Sequence, residues 1–149
     1  ATYSLLKYNQ SPNKLYNQYY EVWQPSIITR GVDQEHNMDA IVALYESGNF
    51  NQTIDAIDKL LVKEKNNPQL WLLKGCSYME LNKFDQAIAV FRNFDNSTYT
   101  FYTETALWYN ALCYLKTDKI DEAKKQMQNI ANQGNTYSKE AQDILNKMR

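Results

Sequence analysis

The chain has 149 residues, of which 44% are hydrophobic, so it is long enough to bury the core of one domain. The formal net charge is −1, and this balance gives no support for binding nucleic acid, which requires a basic surface. With 4 glycines and 3 prolines the chain lacks the turn residues of a typical β-sandwich, and it has no apolar run of the about 18 residues that a membrane span needs. The composition therefore favours a helical protein whose segments do not insert into a membrane.

Residues 1–33 are predicted to form an N-terminal arm. Five large apolar side chains in this arm have the spacing of one face of a short helix: Leu15, Tyr16, Tyr19, Tyr20 and Trp23. Pro25 is expected to end the helix, and residues 26–31 are expected to form an extended connector. Because the arm is rich in apolar side chains, we expect it to pack on the rest of the chain.

Three helix pairs are predicted after the arm, over about 34–65, 68–103 and 104–132. Each pair needs a reversal between its helices, and at each reversal the sequence places a residue type that tolerates positive φ: Gly48, Asn82 and Asp118. The second pair also has a start signal, because Asn67 is a good N-cap and Pro68 suits the first helical position. The stretch 93–103 is expected to be a connector rather than part of a helix.

A capping helix is predicted over residues 136–149, after Gly134 ends the third pair. One side of this helix is apolar, and its other side carries charged residues: Lys139, Glu140, Asp143 and Lys147. A charged outer face is typical of the helix that closes a repeat array. The predicted fold class is therefore all-α, an antiparallel helix-pair solenoid of residues 34–149 with an N-terminal arm and a C-terminal capping helix.

The second and third pairs are variants of one another in a 36-residue register, since Tyr78 corresponds to Tyr114 and Ala87 to Ala123. A period of this length is typical of helical repeats. Ten residues carry the shared pattern of large, small and aromatic positions: Trp71, Gly75, Tyr78, Ala87 and Phe91, then Leu107, Ala111, Tyr114, Ala123 and Met127. The first pair departs from it, because Asn37 holds the first large position and Thr53 replaces the second small residue.

This pattern resembles the tetratricopeptide repeat, TPR. The resemblance implies a helix-pair fold and a non-catalytic scaffold that binds proteins or peptides, with no cofactor. A looser resemblance, from the aromatic arm, three repeats and closing helix, is to bacterial TPR domains of membrane-anchored or exported chains. That resemblance implies a bacterial source and a soluble portion of such a chain, without fixing the compartment.

The repeat register also names the residues expected on the concave face of the array, and these are mostly apolar or aromatic. The candidate partner-binding residues are Met38, Val42, Tyr45, Leu72, Cys76, Met79, Thr105, Trp108, Tyr109, Leu112 and Leu115. They lack the cations and amides with which one TPR subclass clamps a C-terminal carboxylate, so that ligand class is rejected. We expect a peptide or protein segment to bind here. The alternatives are that the N-terminal arm fills the face or that the face mediates self-association.

Catalytic and metal chemistry are not predicted. His36 is the only histidine, and no second histidine or cysteine lies at ligand spacing from it. The sequence therefore offers no nucleophile with a base and an orienting group. Cys76 and Cys113 occupy adjacent, non-equivalent repeat positions and are predicted to be two buried thiols rather than a disulfide.

Overall fold

The computed structural model describes residues 10–25, 35–94 and 101–148, without the side chains of residues 35 and 36. Within these ranges the chain is all-helical, with eight helices and no strand, as the composition predicts. The helices are α1 (Pro12–Tyr19), α2 (Glu35–Glu46), α3 (Phe50–Leu61), α4 (Pro68–Glu80), α5 (Phe84–Phe91), α6 (Phe101–Lys116), α7 (Ile120–Asn132) and α8 (Ser138–Lys147). None of these described helices is both long and apolar enough to cross a membrane.

The chain divides into two units. The first, called here the repeat unit, is Val22–Phe94, in which α2 packs on α3, α3 on α4 and α4 on α5. The second, called here the terminal unit, combines Ala1–Glu21 with Asp95–Arg149. In the terminal unit α6 packs on α7, α7 on α8, and α1 on α6. Each unit is thus built from helix hairpins, and the terminal unit also includes the N-terminal helix.

The reversal between the helices of each pair is the same motif three times. Gly48, Asn82 and Asp118 have φ values of 79°, 57° and 59°, so the prediction of a left-handed residue at each position is confirmed. The amide of each donates to the carbonyl three residues back, and the next amide donates to the carbonyl five residues before itself. This pair of hydrogen bonds is the Schellman motif, which satisfies carbonyls at the end of the first helix and reverses the chain.

Helix starts and ends follow the sequence signals where these are local. Asn67 caps α4 by accepting a hydrogen bond from the Gln69 amide at 3.0 Å, with Pro68 as the first helical residue, as predicted. The expected connector 93–103 is wrong at its end, because α6 begins at Phe101. That start places the Glu104 carboxylate in the first turn, where it interacts favourably with the helix dipole.

Helix α1 stops earlier than predicted. Tyr20 has an extended backbone, with φ −74° and ψ 126°, so Trp23 lies outside the helix and Pro25 does not end it. No stop signal in the sequence marks this position, and the contacts of Tyr20 and Glu21 described below account for it. The predicted connector over 26–31 lies outside the described residues.

The close approach of α4 and α5 depends on Gly75. A β-carbon built at Gly75 would lie 2.6 Å from Cζ of Phe91, 2.9 Å from Cδ1 and closer still to Cε1. Phe91 is fully buried, so its ring has little room to move away.

In the first pair, Thr53 is also fully buried, and its hydroxyl donates to the Asn49 carbonyl at 2.9 Å. Threonine is therefore tolerated at this repeat position because its polar group is satisfied.

Replacing Gly48 tests the left-handed turn without a packing change, since the nearest atom to an added β-carbon is 4.0 Å away. We expect Gly48→Ala to lower the free energy of unfolding by about 1 kcal/mol, because a β-carbon disfavours positive φ. Gly48→Asn is the matched control and should cost less, since asparagine adopts this conformation at position 82. Urea unfolding measures both, and equal losses for the two variants would contradict the assignment.

Replacing Gly75 tests the helix contact. We expect Gly75→Ala to lower the free energy of unfolding by about 1–3 kcal/mol from overpacking against Phe91, although alanine favours helix by about 1 kcal/mol. In a Phe91→Leu background the same replacement should cost less, because the shorter side chain removes the ring atoms. A double-mutant cycle by urea unfolding measures this coupling. An equal cost of Gly75→Ala in both backgrounds would show that the ring is not the obstacle.

Candidate functional site

Most of the predicted concave-face residues are buried, each within its own unit. Nine of the eleven have 8% or less of their surface exposed: Met38, Tyr45, Leu72, Cys76, Met79, Trp108, Tyr109, Leu112 and Leu115. Val42 and Thr105 are half-buried. A partner has little direct access to the nine buried side chains in this structure, so what covers them decides how the face can function.

In the terminal unit, the N-terminal segment covers part of this set. The Tyr109 hydroxyl donates to the Glu21 carbonyl at 2.7 Å, and the edge of Tyr20 meets the Tyr109 ring with centroids 6.2 Å apart. Tyr16 in turn stacks on Tyr20 at 5.0 Å. We call Tyr16, Tyr20 and Tyr109 the tyrosine cluster. It holds α1 and the two residues after it, Tyr20 and Glu21, against α6.

Two lysines bind the same segment: Lys116 at the end of α6 and Lys147 at the end of α8. Lys116 Nζ donates to Asn13 Oδ1 at 2.7 Å and lies 5.0 Å from the centre of the Tyr16 ring. Lys147 Nζ donates to the Tyr19 hydroxyl at 2.7 Å and lies 4.9 Å from that ring's centre. Cation–π contacts of this kind contribute about 0.5–1 kcal/mol each at exposed sites. Lys147, expected on an outer charged face, therefore contacts the N-terminal helix instead, which corrects that prediction.

In the repeat unit, a second tyrosine of the predicted set binds a later part of the arm. The Tyr45 hydroxyl donates to the Trp23 carbonyl at 2.8 Å, and its ring meets the Phe50 ring edge-on at 5.5 Å. Pro25, two residues after Trp23, is also buried. Tyr45 and Tyr109 thus play the same role in separate units: each donates a hydrogen bond to a backbone carbonyl of the N-terminal arm outside its helix.

A cleft remains in the terminal unit between this segment and the helices. It has a volume of about 240 Å³ and is lined by Gln18, Tyr19, Glu21, Trp108, Tyr109, Tyr137 and Glu140. Trp108 and Tyr137 stack there with ring centres 5.0 Å apart and planes within 6°. We call this site the aromatic cleft.

The position of Glu140 in the aromatic cleft differs from the prediction. Glu140 was expected on the charged outer face of the capping helix, yet it is half-buried, and its Oε2 is buried without a hydrogen-bond partner among the described residues. Tyr19 was identified only as a position on the apolar face of the arm. A signal for the cleft existed in the three-residue spacing of Tyr137 and Glu140 at the start of α8, but their neighbours in space lie far away in sequence.

The described residues offer little to metal or thiol chemistry. They contain no group of three or more histidine, cysteine, aspartate or glutamate side chains that could hold a metal ion. Cys76 and Cys113 are free and buried, as predicted. Burial raises the pKa of the Cys113 thiol well above its usual range, so this thiol stays protonated and weakly nucleophilic.

Comparison with known proteins identifies one repeat. Residues 68–94, which include α4 and α5, match the family model of the tetratricopeptide repeat. No curated protein and no solved structure matches the chain. The match lies on the second predicted pair, and it gives no support to the looser resemblance to bacterial, membrane-anchored or exported chains.

The Tyr109 hydrogen bond can be tested by removing one oxygen. We expect Tyr109→Phe to lower the free energy of unfolding by about 1 kcal/mol, because the Glu21 carbonyl loses its donor. Tyr78→Phe is the matched control, since no hydrogen bond of the Tyr78 hydroxyl is found among the described residues. Urea unfolding measures both variants. A loss no larger for Tyr109→Phe than for Tyr78→Phe would contradict a stabilising role for this bond.

Proposed function

We propose that this chain, in which residues 68–94 form a tetratricopeptide repeat, is a protein-interaction scaffold that does not act as an enzyme. Tetratricopeptide repeats are typically non-catalytic interaction modules. The observation that carries the proposal is the hydrogen bond from the Tyr109 hydroxyl to the Glu21 carbonyl, beside the Tyr20 ring. It supports an α6 surface suited to a short helix followed by extended peptide.

In this proposal the first occupant of that surface is the chain's own N-terminal segment, residues 10–21. The burial of Trp108, Tyr109, Leu112 and Leu115 favours an internally filled face over an open groove. A peptide or protein partner would then bind by replacing the segment rather than by entering an empty site. From the sequence, peptide binding and filling by the arm were alternative hypotheses. Here both apply to one surface, first occupied by the arm and then by a partner.

The energetics favour a segment that can be displaced. Leu15 and Tyr16 are buried, with 0% and 6% of their surface exposed. An eight-residue helix is too short to be stable in water alone. The segment therefore stays in place through these two side chains, its contacts with α6 and α8, and its tether, which keeps it at high effective concentration.

Cutting the chain after the segment tests the proposal on the complete protein. We would introduce a protease site within residues 26–34, cleave it, and measure by size-exclusion chromatography and titration whether the N-terminal fragment stays bound. We expect a saturable complex, weakened about fivefold by Tyr109→Phe, which corresponds to about 1 kcal/mol. Tyr78→Phe should leave the affinity unchanged.

Two results would overturn the proposal. One is a fragment that separates from a folded remainder and does not rebind when added back. The other is binding that Tyr109→Phe and Tyr78→Phe weaken equally, because the α6 surface would then not be the site of recognition.

A further inference from the structure

We propose that the aromatic cleft of the terminal unit binds an alkylammonium cation. This inference needs the N-terminal segment to lie on α6, since Tyr19 and Glu21 come from that segment, but it needs no protein partner. A cleft that fails to bind the cation while the segment stays bound would overturn this inference alone.

The lining of the cleft favours a cation. Four of its seven side chains are aromatic: Tyr19, Trp108, Tyr109 and Tyr137. Aromatic rings carry negative charge on their faces and attract ammonium groups within about 6 Å, tryptophan most strongly. The stack of Trp108 on Tyr137 holds these two rings in fixed positions. A rigid aromatic wall of this kind recognises alkylammonium groups through electrostatic attraction and dispersion together.

The charge of the cleft also favours a cation. Glu140 Oε2 is buried and has no hydrogen-bond partner among the described residues. A buried carboxylate oxygen without a partner carries a desolvation cost that a bound cation would offset. Glu21 adds a second carboxylate to the lining. An anion would be repelled by both carboxylates, and a neutral apolar ligand would gain nothing from their charge, so the chemistry selects a cation.

The position of Glu140 in the first turn of α8 has a simpler explanation, since an acid there interacts favourably with the helix dipole. That explanation accounts for an exposed acid, but not for a carboxylate oxygen that is buried without a hydrogen-bond partner among the described residues. Lys147 does not line the cleft, but its Nζ lies 4.9 Å from the centre of the Tyr19 ring. Its positive charge repels a bound cation and so weakens cation binding. We therefore expect a dissociation constant on the order of 1 mM rather than a tight complex.

The test uses the full chain labelled with ¹⁵N-tryptophan. Choline is titrated while the indole signal of Trp108 is followed by NMR, with the signals of Trp23 and Trp71 as internal references. The neutral isostere 3,3-dimethylbutan-1-ol is titrated in parallel. We expect a saturable shift of the Trp108 signal with choline and at least tenfold weaker binding of the isostere.

Glu140→Gln is the matching variant, because it removes the charge and keeps the shape. We expect it to weaken choline binding at least fivefold, while Glu122→Gln, an exposed acid of α7 outside the cleft, leaves the affinity unchanged. Equal binding of choline and its isostere would overturn the inference, as would unchanged affinity in Glu140→Gln. So would the absence of any saturable shift up to about 100 mM choline.

A second arm separates the two sources of such a cation. N-acetyl-lysine amide represents a lysine side chain of a partner, and choline represents a free small molecule. Tighter binding of the lysine derivative would indicate a partner's side chain, and tighter binding of choline would indicate a small-molecule ligand. Either outcome supports the proposed chemistry.

Discussion

The tyrosine cluster of Tyr16, Tyr20 and Tyr109 is the contact on which the candidate site depends. An eight-residue helix is too short to be stable in water alone, so α1 depends on its packing against α6, with a further contact from Lys147 of α8. Loss of that packing would uncover part of the predicted partner-binding set. It would also remove Tyr19 and Glu21 from the aromatic cleft. Interaction surface and cleft are therefore coupled through one segment.

The repeat architecture could be predicted from the sequence because its determinants are local. Each reversal needs one residue that accepts positive φ, and Gly48, Asn82 and Asp118 supply it within a motif that repeats its hydrogen bonds. The capping by Asn67 likewise involves residues two positions apart. The Gly75–Phe91 contact follows from the small and large positions of one helix pair, since one side chain must leave room for the other.

The site could not be predicted in the same way, because its contacts join distant parts of the chain. Tyr109 and Glu21 are 88 residues apart, and Lys147 and Tyr19 are 128 apart. Helical periodicity shows which residues share a face, but not which other segment covers that face. For this reason Glu140 and Lys147 were expected on an outer surface. The apolar side chains of the arm made it one of the predicted occupants of the concave face. The hydrogen bond between the Tyr109 hydroxyl and the Glu21 carbonyl could not be predicted from them.

Residues 12–20 are ordered by their packing on α6. Amide hydrogen exchange of the intact chain measures this ordering, because α1 has no stability of its own. We expect the Tyr20 amide, which donates to the Tyr16 carbonyl at 2.8 Å, to be protected, and this protection to fall in Tyr109→Phe. Exchange of the α1 amides at the rate of an unstructured peptide, while α6 remains protected, would contradict the account.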